Sequence, residues 1–534
     1  MSPFPIDTWR DCLKDHPDRN FVNTLLDEIQ HGVRVGFQNE RRTLINDNHH
    51  SAKSNPTPIA FELERELTLN RKAGPFLDPP FPNFVGSPMG AIPKKHSNPQ
   101  KWRIINDLSW PAGQSINDGI SKEQFTCSYD SLDVAISQLK LLGQNALMSK
   151  LDLSDAFRHI LVNKNDWELL GFTWPIVTNG ETRIGYFFDM FLPFGLRSSP
   201  SLFLKFVNIL KYVMAKRGAN PIWNYLDDFW TCGPESQNNC AQNLNLMLQT
   251  CSDLGFKVNP AKTVQPTTNL TLLGIKLDTQ KQEASIDSTR LSDTLTLLTL
   301  WNTRKHCKKR QLQSLIGKLH FICKVCRSGR TFLRRMIDLL STASNPNHHI
   351  RLTAAFRKDI NWWLTFLPTW NGCNFFFDDQ WTLSSTLELY SDACKHSFGA
   401  YFSGEWLLGS FKDHGIPISR SITFKELYAI TAAINTWANT LAGYNILFHC
   451  DNMSVVNILS TGTSKCQHIM SLVRYLFYVC AQHNIMLRAA HIPGVQNSWA
   501  DALSRLQVNR FLSSCPHASP QPTSVIPVDL NNFR

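Results

Sequence analysis

Hydrophobic positions change their period several times along this chain, and each period predicts a different element. Apolar residues spaced three and four apart predict helices over residues 132–142 and 199–215. Short apolar runs predict strands over 146–153, 185–191 and 222–227. Helices and strands follow one another without a regular strand–helix–strand repeat, which is typical of an α+β fold.

The second half of the chain changes pattern twice. Residues 287–342 contain no proline and read as helical, and a further helix is predicted over 350–366. Strands then return at 387–391, 398–402, 406–410, 445–450 and 485–490, with helices over 424–441, around 454 and 469, and beyond 497. The polar residues 1–60, which end in a proline-containing linker at 51–58, are predicted to be partly disordered, and the Ser- and Pro-rich residues 507–534 are predicted to be a disordered tail.

Positive charge is concentrated in one place. The net charge is +11, and eleven Lys and Arg residues lie between Trp301 and Arg335, where no acidic residue occurs. Such a one-sided block favours a polyanionic partner, although a solvated helix face is the simpler alternative. Residues 304–310 also fit a nuclear localisation signal, but phosphate contact by a helix explains them more simply.

The remaining composition narrows the class of protein. No apolar run reaches the roughly 18–20 residues that a membrane span requires, and the first ten residues lack a signal-peptide core. We therefore expect an intracellular protein, in the cytoplasm or the nucleus, without a membrane partner. The fourteen cysteines have irregular spacing, so disulfides are not expected. Cys323 and Cys326 near His320 suggest zinc, but no second ligand pair follows at finger spacing.

Two adjacent acids flanked by aromatic residues, Asp227 and Asp228 in the segment 225–230, form the first candidate site. Burying two like charges costs several kcal/mol unless cations neutralise them. Asp152 lies at the end of another apolar strand and supplies a third acid. Several carboxylates together can hold two Mg²⁺ ions roughly 3.5–4 Å apart, as two-metal phosphoryl transfer requires.

Several ordered motifs extend this pattern; they cover residues 101–107 (KWRIIND), 150–157 (KLDLSDAF), 192–200 (LPFGLRSSP), 225–228 (YLDD) and 272–276 (LLGIK). With these motifs the chain resembles reverse transcriptases, most closely those of DIRS-like and LTR retrotransposons. The resemblance implies a right-hand polymerase fold of fingers, palm and thumb. It also implies that Asp152, Asp227 and Asp228 are the metal-binding acids of the palm.

The same resemblance implies roles for residues that bind nucleotide and template. Phe157 matches the aromatic residue that excludes a ribose 2′-hydroxyl and so favours dNTPs, with an ordinary core Phe as the alternative. Lys95, or its neighbour Lys94, and Arg103 match fingers residues that hold the triphosphate, although a solvated lysine is equally compatible.

Three further matches lie after the fingers. Phe194 and Gly195 match a segment that packs against template and nucleotide. Many retroviral relatives have Gln where Phe194 stands, so no side-chain hydrogen bond is implied there. Lys262 resembles a lysine placed near the pyrophosphate leaving group, a candidate general acid. The basic helices after Asp287 would be the thumb and connection.

A second set of acids occupies the last part of the chain. Asp392 and Asp451 close predicted strands, while Glu426 and Asp501 lie on predicted helices. Strand-end and helical acids in this order can converge on a pair of ions, and a nearby His491 can transfer protons. The set resembles the RNase H pattern over about 387–506, which implies four metal ligands and cleavage of the RNA strand of an RNA–DNA hybrid.

The sequence thus predicts five segments: an N-terminal extension (1–60), fingers and palm (61–280), a basic helical thumb and connection (281–383), an RNase H-like α/β domain (384–506) and a tail (507–534). The predicted function is RNA-directed DNA polymerase with RNase H activity, using Mg²⁺ (two ions per site, with Mn²⁺ as the alternative). The predicted partners are an RNA template, a DNA primer, the RNA–DNA hybrid and dNTPs. The alternative is a domesticated or decayed element protein that binds RNA without catalysis, which the seven intact acids disfavour.

Overall fold

A computed structural model describes residues 3–94, 101–178, 180–370, 372–375, 381–531 and 533. The chain forms two compact units. The first extends to Ala135 and resumes over Asn145–Leu270, and the second comprises Ile136–Gln144 and the residues from Thr271 onward. Both units combine helices with sheets, so the predicted α+β class is confirmed.

The first unit is built on two sheets and several covering helices. Its helices are α1 (Ile6–Cys12), α2 (Arg19–His31), α3 (His50–Lys53), α4 (Pro56–Thr68), α6 (Ser199–Lys216) and α7 (Asn239–Asp253), and α5 (Leu132–Leu142) crosses the boundary between the units. Its strands are β1 (Leu44–Ile45), β2 (Lys72–Phe76), β3 (Val85–Gly86), β4 (Met89–Pro93), β5 (Trp102–Asn106), β6 (Leu147–Asp152), β7 (Gly171–Thr178), β8 (Glu181–Asp189), β9 (Ile222–Tyr225), β10 (Asp228–Gly233) and β11 (Val264–Thr267).

These strands pair in three groups. A five-stranded sheet has the order β1-β3-β7-β8-β2, a four-stranded sheet has the order β11-β6-β10-β9, and β4 pairs with β5. In the four-stranded sheet every pairing is antiparallel. Helices α6 and α7 bury apolar residues such as Phe203, Phe206 and Leu244 in the same core as Leu151 and Phe229 of that sheet. The sheet is therefore fixed on a buried helical layer.

The structure differs from the prediction of partial disorder over residues 1–60. Helices α1 and α2 carry Trp9, Leu25 and Ile29 into the main core of the first unit, where each is at most 2% exposed. The Trp9 indole N–H donates a hydrogen bond to the carbonyl of Leu254 at 3.0 Å. Apolar residues at helical spacing thus bury enough surface to order this segment, despite its polar composition.

The predicted linker at 51–58 also differs from the structure, because all but two of its residues lie in α3 or at the start of α4. Pro56 occupies the first turn of α4. A proline is tolerated there because the first N–H groups of a helix have no intrahelical partner. The two prolines that indicate a linker therefore mark the beginning of a helix.

The second unit contains the remaining elements. Its helices are α8 (Ser288–Thr303), α9 (Lys309–Ile322), α10 (Arg334–Ser341), α11 (Ala354–Thr369), α12 (Ile422–Thr436), α13 (Met453–Thr461), α14 (Gln467–Gln482), α15 (Ser498–Ser504) and α16 (Val508–Ser514). Its strands are β12 (Asn269–Leu272, which crosses the boundary), β13 (Ile275–Asp278), β14 (Glu283–Ile286), β15 (His306–Lys308), β16 (His349–Arg351), β17 (Cys373–Phe375), β18 (Thr382–Leu383), β19 (Leu389–Ala393), β20 (Ser397–Phe402), β21 (Glu405–Ser410), β22 (Asn445–Cys450) and β23 (Met486–His491).

Two three-stranded sheets position the acids of this unit. Strands β19, β20 and β21 form an antiparallel sheet, and β18, β22 and β23 form a parallel one. Helices α12 and α14 contribute Leu427, Ile430 and Leu476 to the core that these strands share. Earlier in the unit, β12-β13-β14-β17 form a separate sheet and β15 pairs with β16.

The residues after 506 also differ from the predicted disordered tail. Helix α16 buries Phe511, and the backbone N–H of Thr523 donates to the carbonyl of Trp406 at 2.7 Å. The Trp406 indole N–H donates in turn to the Ser519 carbonyl at 2.7 Å. The tail is held by these hydrogen bonds to Trp406 of strand β21, an interaction that composition does not reveal. Among the described helices, none joins the length and the apolar content needed to cross a bilayer.

Candidate functional site

The four-stranded sheet of the first unit brings the three predicted acids of the polymerase site together. Asp152 is the last residue of β6 and Asp228 the first of β10, and the two are direct partners in the antiparallel pairing. Asp227 precedes Asp228 in the turn between β9 and β10, and its carbonyl accepts from the Leu153 N–H at 2.9 Å. Asp152 thus meets two adjacent acids that follow it by 75 and 76 residues in the sequence, and all three lie at one end of the sheet.

The turn itself has an uncommon backbone conformation. Leu226 has a φ of 52°, a left-handed value that costs a bulky residue on the order of 1 kcal/mol or more. Tyr225 and Asp228 are direct partners in the pairing of β9 with β10, so Leu226 and Asp227 form a tight two-residue connection. The conformation that this connection needs is held by the paired strands on both sides.

Lysine side chains neutralise two of the three acids. The Lys262 ammonium contacts both carboxylate oxygens of Asp152, at 2.9 and 3.1 Å, and the Lys150 ammonium lies 2.9 Å from Asp228 Oδ1. Burial, followed by repulsion from Asp228 and Asp152, raises the pKa of Asp227. The hydrogen bond to Asp152 raises the pKa of Lys262. The carboxylate oxygens of these acids already bind two ammonium groups, and carboxylate oxygens are the ligands that divalent ions such as Mg²⁺ prefer.

The predicted nucleotide-binding residues lie on neighbouring elements. Phe157 follows β6 in a short turn, is 9% exposed, and has its ring centre 5.1 Å from that of Phe194. Phe194 is half exposed. Gly195 has a φ of 99°, and a Cβ there would lie 3.1 Å from the Asn106 carbonyl oxygen. This is a position where glycine is needed both for its backbone angle and for close approach.

Two of the other predicted triphosphate ligands, Arg103 and Lys94, lie on or directly beside the paired strands β4 and β5. Arg103 lies exposed on β5, opposite Ile92 of β4. Lys95 lies outside the described residues, and Lys94 ends the described part of that loop, where its N–H donates to the Lys101 carbonyl at 2.7 Å.

A buried ion network behind Phe157 was not predicted from the sequence. Arg158, 7% exposed, pairs with Glu66 at 2.6 Å and with Asp189 at 2.7 Å, and Lys72 pairs with Asp189 at 2.8 Å. These residues line a small cavity of about 80 Å³ that Phe194 also borders. Because each buried charge has an opposite partner, the network fixes the turn that carries Phe157. The only sequence signal is that Arg158 directly follows Phe157.

In the second unit, three potential ligand atoms gather at the second group of acids. A carboxylate oxygen of Glu426, the Sγ of Cys450 and a carboxylate oxygen of Asp451 all lie within 4.8 Å of one another, the one such group among the described residues. Glu426 comes from α12, while Cys450 ends β22 and Asp451 follows it. This is the chemistry of a divalent-cation site.

Asp392 belongs to the same electrostatic neighbourhood. Burial, followed by repulsion from Asp451 and Asp392, raises the pKa of Glu426 to about 7. Burial also raises the pKa of Asp392, with further repulsion from Asp451 and Asp501, while the Ser504 hydroxyl donates to Asp392 Oδ2 at 2.7 Å. Acids that disfavour each other's ionisation are the groups that a cation would stabilise most.

The remaining two predicted residues lie at the edge of this group. Asp501 is paired with Arg505 at 2.7 Å and lies 3.8 Å from Arg510. His491 ends β23, is exposed, and is the direct strand partner of Cys450. Gly494 lies close by, because a Cβ there would be 3.1 Å from Asp451 Oδ2.

Sequence reasoning missed Cys450 as a member of this group. The burial of β22 alternates, so that Ile446, Phe448 and Cys450 point to the buried side. Burial raises the pKa of the Cys450 thiol to about 12. The alternation could have placed the thiol on the core face, but only the packing of α12 brings Glu426 to it.

The basic block extends over β15, α9 and the beginning of α10. Seven of its side chains are exposed: Arg304, Lys305, Arg310, Lys318, Lys324, Arg330 and Arg334. Two others are engaged within the unit, Lys309 with the Ala343 carbonyl at 2.6 Å and Arg335 with Asp359 at 3.0 Å. The exposed majority leaves a surface suited to a polyanion.

Comparison with known proteins gives a family match over the part of the chain that contains Asp152, Asp227 and Asp228. Residues 92–277 match the family model described as reverse transcriptase (RNA-dependent DNA polymerase). Protein P of duck hepatitis B virus (strain China) is 23% identical over 268 residues, covering 50% of this chain and 32% of the relative. The retrovirus-related Pol polyprotein from transposon 297 of Drosophila melanogaster is 22% identical over 529 residues, covering 93% of this chain and 44% of the relative.

The chain therefore spans less than half the length of these two relatives. Among solved structures, the foamy viral protease-reverse transcriptase dRH in complex with double-stranded DNA is 15% identical, with a TM-score of 0.49. That match covers 92% of this chain and 82% of the other.

Proposed function

We propose that the protein copies retrotransposon RNA into DNA and degrades the RNA strand of the resulting hybrid. Residues 92–277 match the reverse transcriptase family model, and the chain is similar to a transposon Pol polyprotein, which supports this proposal. The observation that carries the polymerase proposal is the direct pairing of Asp152 with Asp228 beside Asp227. The group formed by Glu426, Cys450 and Asp451 supports the nuclease proposal. The DIRS-like assignment stays a proposal.

Asp152, Asp227 and Asp228 would hold divalent ions at the polymerase site, with Mg²⁺ as the proposed metal and Mn²⁺ as the alternative. Such ions supply charge stabilisation to a phosphoryl transfer. Phe157 would contact the sugar of the dNTP, and Phe194 would extend that apolar surface. Lys262 keeps its proton at neutral pH, so it is suited to donate a proton or a hydrogen bond to the leaving pyrophosphate.

At the nuclease site, Asp392, Glu426, Asp451 and Asp501 would hold the metal. His491, exposed at the end of β23, would exchange protons with solvent near the scissile phosphate. The exposed basic block would contact the phosphates of the template–primer duplex, an interaction that weakens as salt concentration rises. The proposed substrates are a primed RNA template, dNTPs and the RNA–DNA hybrid.

An extension assay on a primed RNA template with dNTPs and Mg²⁺, followed by gel analysis of the RNA strand, tests both activities. Asp227→Asn with Asp228→Asn is expected to abolish primer extension and to leave cleavage of a preformed hybrid intact. Asp451→Asn is expected to do the reverse. If either change removes both activities from a folded protein, the two sites are not independent and the proposal is wrong.

A second candidate is an RNA-binding protein without catalysis, which the exposed basic block alone would support. The same assay separates the two functions. Hybrid binding in a gel-shift experiment, without extension or cleavage in Mg²⁺ or Mn²⁺, would favour the non-catalytic protein.

A further inference from the structure

The nuclease group contains a sulfur atom where two-metal sites are expected to offer only oxygen. Cys450 is 5% exposed, and its Sγ lies 3.7 Å from Glu426 Oε2. The Asn452 N–H also approaches this sulfur, at 3.4 Å. The thiol therefore contacts the Glu426 carboxylate at the edge of the apolar core to which Cys450 also belongs.

The fold fixes this position from two directions. Strand alternation directs Ile446, Phe448 and Cys450 to the face of β22 that packs on the helices. Pairing of Cys450 with His491 in β23, and the bond from the Ile492 N–H to the Cys450 carbonyl at 3.1 Å, hold the end of the strand. Glu426 then approaches from α12, whose first turn is capped by Ser421. No rearrangement of the backbone is required to bring the three groups together.

A sulfur ligand changes which cation such a group prefers. Oxygen ligands alone suit Mg²⁺, Mn²⁺ and Ca²⁺, whereas thiolate favours zinc and other thiophilic ions. Three protein ligands with one open position are a common arrangement for a zinc ion that keeps a water or a substrate atom. Glu426, Cys450 and Asp451 provide two oxygens and one sulfur in such a set.

We propose that Glu426, Cys450 and Asp451 form a three-ligand site for a thiophilic divalent cation of the zinc class, and that this ion competes with Mg²⁺ for the same two carboxylates. The sulfur–metal bond replaces the S–H bond, and the released proton goes to solvent; no oxidation or reduction occurs. The competition with Mg²⁺ rests on the proposed nuclease function, whereas the thiophilic site itself does not.

The test is a titration of the full chain with Cd²⁺, which reports thiolate ligation by a charge-transfer absorption band in the ultraviolet. Thirteen other cysteines are present, so the informative quantity is the part of the band that excess Mg²⁺ removes. Wild type is expected to show one Cd²⁺ equivalent of this Mg²⁺-sensitive absorption. Cys450→Ser is expected to lose it, and Cys466→Ser, which changes an exposed cysteine of the same unit, is expected to keep it.

Glu426→Gln separates a three-ligand site from an isolated thiol. In a shared site, loss of this carboxylate is expected to weaken Cd²⁺ binding at least about tenfold. Far-ultraviolet circular dichroism checks that each variant is folded, and the competition in wild type needs no variant at all. Equal Mg²⁺-sensitive absorption in wild type and Cys450→Ser overturns the proposal, as does an unchanged Cd²⁺ affinity in Glu426→Gln.

The failure of this proposal can be told from the failure of the proposed function. Cleavage of an RNA–DNA hybrid by wild type in Mg²⁺ reports the nuclease without any thiophilic ion. A protein that binds Cd²⁺ as described but leaves the hybrid intact would keep the metal site and refute the nuclease. A protein that cleaves the hybrid but lacks the Mg²⁺-sensitive band would keep the nuclease and refute the thiophilic metal site.

Discussion

Replacing Glu426 by glutamine is expected to stabilise the metal-free protein while it removes hybrid cleavage. Burial and repulsion from Asp451 and Asp392 raise the pKa of Glu426 from 4.5 to about 7. The folded protein therefore prefers the protonated side chain more strongly than the unfolded chain does. This preference makes the free energy of unfolding highest below about pH 4.5, and it decreases as pH rises through about 7.

The size of this effect on the free energy of unfolding follows from the difference between the pKa of Glu426 in the unfolded chain and its pKa in the folded protein. Each pH unit corresponds to about 1.4 kcal/mol, so complete ionisation costs the folded state at most ~3 kcal/mol. Glu426 is only partly buried, and solvent screening reduces this to about 1–2 kcal/mol. Glutamine carries no charge at any pH and has nearly the same shape, so Glu426→Gln should recover this amount at about pH 8 and little at about pH 4.5.

Urea unfolding in EDTA at these two pH values measures the effect. Asp293→Asn is the matched control, because it neutralises an exposed acid on α8 of the same unit. Added Mg²⁺ is expected to stabilise wild type at high pH more than it stabilises the variant, since a ligand that binds only the folded state raises its stability. A variant that is less stable than wild type at about pH 8 in EDTA would refute the electrostatic reasoning.

Three other changes test the first unit. Lys262→Gln is expected to lower kcat for primer extension about 10²-fold with little change in template binding; an unchanged kcat would exclude a role at the leaving group. Phe157→Ala is expected to raise ribonucleotide relative to deoxyribonucleotide incorporation at least about tenfold in single-nucleotide kinetics, whereas equal loss of both would indicate a core residue alone. Trp9→Ala is expected to lower the free energy of unfolding by about 3–5 kcal/mol in urea, and a near-neutral effect would contradict an ordered N-terminal segment.

Local elements were largely predictable because they depend on residues near each other in the chain. The apolar spacing over 132–142 corresponds to α5, and the predicted helix at 199–215 is α6 to within one residue. The runs at 398–402 and 445–450 correspond to β20 and β22. Period and turn residues encode such elements directly, so no tertiary contact was needed to find them.

Order at the ends of the chain was not predictable in the same way. Composition indicated disorder over 1–60 and beyond 506, but Trp9 bonds to the Leu254 carbonyl and Thr523 bonds to the Trp406 carbonyl. Each bond joins residues more than one hundred positions apart. A polar segment becomes ordered when another part of the fold offers it a buried pocket or a free strand edge, and its own composition does not contain that information.

The sequence by itself determined which acids are present, in what order, and at which strand ends and helices they lie. The tertiary structure decided which of these acids lie close together and which other side chains lie beside them. Asp152 faces Asp228 because β6 and β10 pair in one register, and a shift by one residue would send the side chain to the other face of the sheet. Cys450 joins Glu426 only because α12 and β22 are buried in the same core. Both results come from contacts between distant segments, which periodicity along the chain cannot specify.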